Sequence, residues 1–154
     1  MDIVSLHEHM EFVPELAQLH YEEWGHLRPK ESLVERTARL TQMCTATDMP
    51  SVVVGLESGR LIGSAMLIPK DGLLVENHLT PWLAGVYVKS EDRSRGIAVA
   101  LIRHIEELAR QAGHRAIYLC TDTYAAYYER HGYGTVETQE FLDEPVYIMA
   151  KLLA

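Results

Sequence analysis

The run Trp82-Leu83-Ala84-Gly85-Val86-Tyr87-Val88-Lys89-Ser90-Glu91-Asp92-Arg93-Ser94-Arg95-Gly96-Ile97-Ala98 passes from a strand pattern to a helix pattern through one short basic loop. In its first half Val86 and Val88 fall on one face of an extended chain, with Gly85, Tyr87 and Lys89 on the other. From Ile97 onward, Ile97, Ala98, Leu101, Ile102, Ile105, Leu108, Ala109 and Ala112 trace a single helical stripe, which Gly113 ends. Ala116 to Thr121 then reads as a buried strand. Strand, helix and strand in succession call for a right-handed crossover, which makes the two strands parallel neighbours.

Working outward, Ser51 to Glu57 and Arg60 to Ile68 are Val/Ile/Leu-rich runs joined by Ser58-Gly59, the signature of a tight hairpin. Asp2 to Leu6 is a short strand. Val13, Leu16, Ala17, His20 and Trp24 repeat at helical spacing, and a second helix runs from Lys30 to Cys44, before Pro50 forbids continuation. After Thr121 come a short helix over Tyr124 to His131, closed by Gly132, and strands at Val136 to Thr138 and Val146 to Leu153. Asp71-Gly72 marks a turn, and Leu73 to Pro81 stays ambiguous. The expected order is βααβββαβαββ, a mixed α/β (α+β) sheet in one domain, 1–154.

Composition narrows the function. A chain of 154 residues with 47% hydrophobic and 23% charged residues is an ordinary globular chain, neither disordered nor collagenous. Lys plus Arg number 14 and Asp plus Glu 22, a net charge of −8 that repels phosphate backbones and anionic lipid, so no nucleic acid or membrane partner is expected. No leader or spanning segment is read, and the two cysteines, Cys44 and Cys120, suit a reduced interior, so a cytoplasmic location is expected. His7, Glu8 and His9 form a metal-like cluster without a third distant ligand, and no metal is expected.

The chemistry gathers at Lys89 to Ala98. A helix begins there, so unpaired N–H groups and the positive end of the helix dipole converge, while three cations outweigh two acids. Gly96 lets a backbone approach a pyrophosphate with no Cβ in the way. A phosphate-bearing ligand fits, although a basic, glycine-containing helix start also arises by chance. The spacing is neither that of a phosphate loop nor of a dinucleotide fingerprint.

Arg93-Ser94-Arg95-Gly96-Ile97-Ala98 resembles the acetyl-CoA signature of the GCN5-related N-acetyltransferase (GNAT) family, Arg/Gln-x-x-Gly-x-Gly/Ala between a strand and a long helix. Tyr127-Tyr128-Glu129-Arg130-His131-Gly132-Tyr133 resembles that family's second hallmark, an aromatic-Tyr-Glu-x-x-Gly-aromatic segment. The resemblance implies a cofactor, acetyl-CoA, whose pantetheine arm pairs with the backbone of Val86, Tyr87 and Val88. It also implies that the amides of Arg93, Ser94, Arg95, Gly96, Ile97, Ala98 and Val99 hold the pyrophosphate, and that the strands flanking the long helix splay near Val88 and Cys120. Many members carry Asn where this chain has Thr121-Asp122-Thr123, a departure from the family pattern at one cofactor contact.

Acetyl transfer needs a neutral amine and a proton for the leaving thiolate. Tyr128 is the candidate acid on the family match, with Tyr124 and Tyr127 as packing. Glu76 heads the candidates for the base, beside His78, Asp122, Glu22, Glu23 and a water relay. Cys120 is read as a structural thiol, and Trp24, Trp82 and Tyr21 as either acceptor wall or core. The expected activity is N-acetyl transfer to a primary amine of a small molecule, peptide or protein, a cationic acceptor being favoured by the net charge. A homodimer is kept open, and the alternative function is a non-catalytic acyl-CoA-binding module of the same fold.

Overall fold

The computed structural model describes residues 1–45, 49–71 and 78–154. Strands β1 (Asp2–Ser5), β2 (Ser51–Glu57), β3 (Arg60–Ile68), β4 (Trp82–Val88), β5 (Ala116–Thr121), β6 (Gly134–Phe141) and β7 (Glu144–Leu152) join helices α1 (Val13–Trp24), α2 (Leu33–Met43), α3 (Ile97–Gln111) and α4 (Ala125–Glu129) in the expected order. All seven strands form one sheet, β1-β2-β3-β4-β5-β7-β6. Every pairing is antiparallel except β4 with β5, the pair that the α3 crossover makes parallel.

Each face of the sheet buries its own apolar set. Leu16 and Ala17 of α1 and Leu40 of α2 meet Val52, Val54 and Leu61 on one face. Leu101, Ile102 and Ile105 of α3 meet Val53, Ile62, Ile117 and Met149 on the other. The α3 stripe is therefore a core stripe, and truncating Leu101 or Ile105 to Ala is expected to cost about 2–5 kcal/mol. Among the described residues no helix is long and apolar enough to cross a membrane.

Of the element boundaries that differ from those expected, three have a local reason. Helix α2 starts at Leu33 rather than Lys30 because Ser32 caps it: Glu35 N–H donates to Ser32 Oγ at 3.1 Å, and Ser32 N–H donates to Glu35 Oε1 at 3.0 Å. Helix α4 begins after Tyr124, whose N–H donates to Thr121 Oγ1 at 3.0 Å. Strand β6 is much longer than Val136 to Thr138. Its side chains are mostly exposed and show no apolar alternation, so pairing with β7 sustains it, closed by a turn in which Leu142 and Asp143 hold φ of 53° and 64°.

Candidate functional site

Two irregularities in β4 build the site. Ser64 pairs with Tyr87 and Met66 with Ala84, so Ala65 alone faces both Gly85 and Val86, and β4 carries a bulge there. Gly85 holds φ +59°, and a Cβ on it would lie 2.9 Å from the Met66 methyl, so this position needs glycine. On its other edge β4 pairs with β5 only at Trp82↔Tyr118, beside the Tyr118 N–H bond to Pro81 O at 3.0 Å. Beyond that point no β4–β5 pair forms, and the β5-facing backbone of Val86, Tyr87 and Val88 lines a gap. This is the splay expected near Val88 and Cys120.

The gap leads to the N-terminus of α3. Gly96 is the N-cap, with φ +78°, and no side chain caps the helix. Ser94 also holds a positive φ, 64°, and a Cβ built on Gly96 meets nothing within 4 Å. The amides of Ile97, Ala98 and Val99 thus open onto free space, a geometry suited to a phosphate. The cations beside them are otherwise occupied. Lys89 Nζ pairs with Glu15 at 2.6 Å, and Arg95 donates to Glu57 at 2.6 Å and to Asp92 at 2.9 Å. Arg93 Nε donates to Val88 O at 2.9 Å, and its guanidinium lies over the Tyr87 ring. The loop thus presents backbone N–H groups beside arginines and a lysine that are already held by neighbouring groups.

At the end of β5 the second hallmark comes into place. Tyr128, on α4, packs edge-on between Tyr127 and Tyr133, with ring centroids 5.3 and 5.7 Å away. Tyr133 is fixed in turn, since its hydroxyl donates to Glu106 Oε2 at 2.7 Å and Lys151 Nζ holds the same carboxylate at 3.0 Å. Burial, reinforced by Tyr127, Tyr124 and Cys120, pushes the Tyr128 phenol up to about 12. Its proton stays on throughout the neutral range, as a donor requires. The Cys120 thiol donates a hydrogen bond to Asp71 Oδ2 at 3.2 Å, and burial with that carboxylate pushes the thiol well above its usual range. It is no nucleophile there.

Asp71 was legible only as a turn residue, because its partner lies 49 positions further on. Of the bases named from the sequence, His78, Asp122, Glu22 and Glu23 are exposed, and Glu76 lies outside the described residues. Burial raises the Tyr87 phenol above its usual range, and Glu23 and Glu22 of α1 add to that rise. Thr121 turns its hydroxyl inward to α4, leaving Asp122 and Thr123 on the surface. Trp82 is core, 1% exposed with its indole N–H on Leu79 O, whereas Trp24 stands beside Tyr87 and His20 at the gap. In the N-terminal cluster His7 bonds Cys44 O and His9 pairs with Glu11.

The family model described as Acetyltransferase (GNAT) family matches residues 13–133. Among solved structures, the aminoglycoside 6′-acetyltransferase type Ii superposes with a TM-score of 0.78 at 22% identity, over 100% of this chain and 98% of that one. The aminoglycoside 6′-N-acetyltransferase from Enterococcus faecium gives 0.76 at 19%, over 100% and 98%. The ribosomal-protein-alanine N-acetyltransferase from Brucella melitensis gives 0.75 at 19%, over 99% and 100%. None of the curated protein sequences matches significantly. At these identities the structural likeness carries the fold.

Proposed function

Because this chain belongs to the GNAT acetyltransferase family, we propose that it transfers the acetyl group of acetyl-CoA to a primary amine by direct nucleophilic attack. The observation that carries this reading is a juxtaposition at one end of the sheet. The β4–β5 gap, the uncapped α3 N-terminus and the protonated Tyr128 beside Cys120 lie together. The described residues fit the co-substrate: an added backbone-like arm finds a strand edge at Val86 to Val88 that has no β5 partner, with the Arg93 side chain on Val88 O, and a pyrophosphate finds the amides from Arg93 to Val99 around a glycine with open space above it.

Acetyl-CoA, when bound, supplies the activated thioester. An alkyl ammonium of pKa about 10.4 has to shed a proton before it can attack. Asp71, hydrogen-bonded to the Cys120 thiol, attracts the ammonium, and water carries the proton away. The Tyr128 hydroxyl gives its proton to the departing sulfur. A phenol near 12 is a weak donor to a thiolate of ordinary pKa about 8.5. The burial that raises Tyr128 raises any thiol beside it, as Cys120 shows, and so narrows that mismatch.

The experiment is thiol release from acetyl-CoA over a panel of primary amines. Aminoglycosides and peptides with N-terminal alanine belong in it, because the structural neighbours are named for those acceptors. Release with at least one amine is expected, cationic amines leading. Tight acetyl-CoA binding with no release from any amine would instead mark a non-catalytic acyl-CoA-binding module.

A further inference from the structure

A bulge leaves a backbone carbonyl outside the ladder, and a buried carbonyl needs a donor. Here the donor is a side chain. Ser64, on β3 and 0% exposed, gives its hydroxyl hydrogen to Gly85 O at 2.8 Å. That hydroxyl has one hydrogen, so the contact of 2.9 Å between Ser64 Oγ and His20 Nε2 has the imidazole donating. Nε2 therefore carries a proton, and the ring holds no second one on Nδ1. Burial, with Arg36 and Arg39 nearby, keeps it neutral by lowering His20 to about 3. His20 is 3% exposed on α1, wedged against Trp24 and Tyr87. A chain of two side chains thus runs from α1 through β3 to the bulge in β4.

We propose that Ser64 and His20 are positioning residues for acetyl-CoA: they hold the Gly85 carbonyl toward β3, so that the bulge keeps β4 apart from β5 and the Val86–Val88 edge stays clear of β5 for the pantetheine arm. The inference rests on the acetyl-CoA reading given above. It adds that the shape of the slot depends on two residues that touch neither cofactor nor acceptor. A tether lost from Gly85 O leaves this carbonyl free to swing into the gap.

The test is acetyl-CoA titration by calorimetry on wild type, Ser64→Ala, His20→Leu, His20→Gln and Val54→Ala, with amide hydrogen exchange of the ligand-free proteins. Ser64→Ala and His20→Leu should each weaken acetyl-CoA about tenfold, the effect of leaving one buried partner unpaired. His20→Gln, whose side-chain amide reaches the same hydroxyl, should bind within about threefold of wild type. Val54→Ala, a core truncation on β2, should melt earlier yet bind as wild type, which separates positioning from loss of stability. Without ligand, exchange at Gly85 to Val88 should quicken in Ser64→Ala and His20→Leu. If Ser64→Ala does not fold, the two His20 variants decide. Binding within about twofold of wild type in Ser64→Ala and His20→Leu overturns the inference, as does a His20→Gln protein as weak as His20→Leu. A wild type that binds no acetyl-CoA overturns the reading of the site itself, and this inference with it.

Discussion

A phenol pushed up to about 12 is protonated at any pH where the enzyme would be assayed, so Tyr128→Phe removes one transferable proton and leaves the ring packing in place. With chemistry limiting, kcat should fall about 10²- to 10⁴-fold while acetyl-CoA affinity holds, Tyr127→Phe serving as the control. An ordinary tyrosine would impose a falling limb on the pH–rate profile near 10. Here the rate should rise as the amine deprotonates and show no fall up to about pH 11, because ionisation of Tyr128 lies beyond. A limb near pH 10 that Tyr128→Phe abolishes would mean a phenol far less buried than the structure has it. Asp71 makes a second residue-scale prediction. Its carboxylate helps to hold the Cys120 proton in place, so Asp71→Asn should lower the thiol's pKa and speed its alkylation by iodoacetamide at pH 9, a signal that Cys120→Ser must erase. The two residues differ in how far a sequence reveals them. Tyr128 lies inside a seven-residue motif, whereas the meaning of Asp71 arises only when β3 and β5 are set on either side of β4.

Among the elements, α3 and its entry carry the cofactor prediction. A ligand that binds only the native state stabilises it by about 2.7 kcal/mol at a hundredfold excess over Kd, so acetyl-CoA should raise the melting temperature. Gly96→Glu puts bulk and negative charge into the space above the α3 amides and should abolish that rise. Its left-handed backbone adds a strain of about 1 kcal/mol, so the ligand-free variant should melt slightly earlier as well. An undiminished shift would move the pyrophosphate site elsewhere. The helices and the first hairpin were legible because burial imprints its period on them, as with Leu101, Ile102 and Ile105 of α3. The true length of β6 was not, since its side chains are largely in solvent and only backbone pairing with β7 extends it. The bulge was illegible for a related reason. Gly85 sits in an alternating strand pattern, and a one-residue slip of register shows only once β3 lies opposite.

Over the whole molecule the excess of acids, −8, draws cations from a distance, and salt screens that pull beyond about 8–10 Å, so KM for a cationic acceptor should rise with ionic strength while that for a neutral one stays put. Burial of His20 sets a different pH response, that of the fold itself. In the unfolded chain this imidazole takes a proton near 6.5, whereas in the native state it does so only at about 3. Between those values the unfolded state holds one more proton, so stability falls as pH falls, by up to about 1.4 kcal/mol per unit once below 6.5. The paired carboxylate of Glu31 adds loss of the same sign, but only at lower pH, because Arg39 depresses it below an ordinary value of 4.5. Urea midpoints of the wild type should therefore slip between pH 7 and pH 5, before carboxylates contribute. In His20→Gln, which keeps a donor to Ser64 but has no titrating ring, that early slip should vanish while the steeper loss below pH 4.5 remains. Equal slopes for the two proteins from pH 7 to pH 5 would show that His20 accepts its second proton in the folded state as readily as in the unfolded chain, and the neutral ring assigned to the buried site would be wrong, although Nε2 would still donate to Ser64.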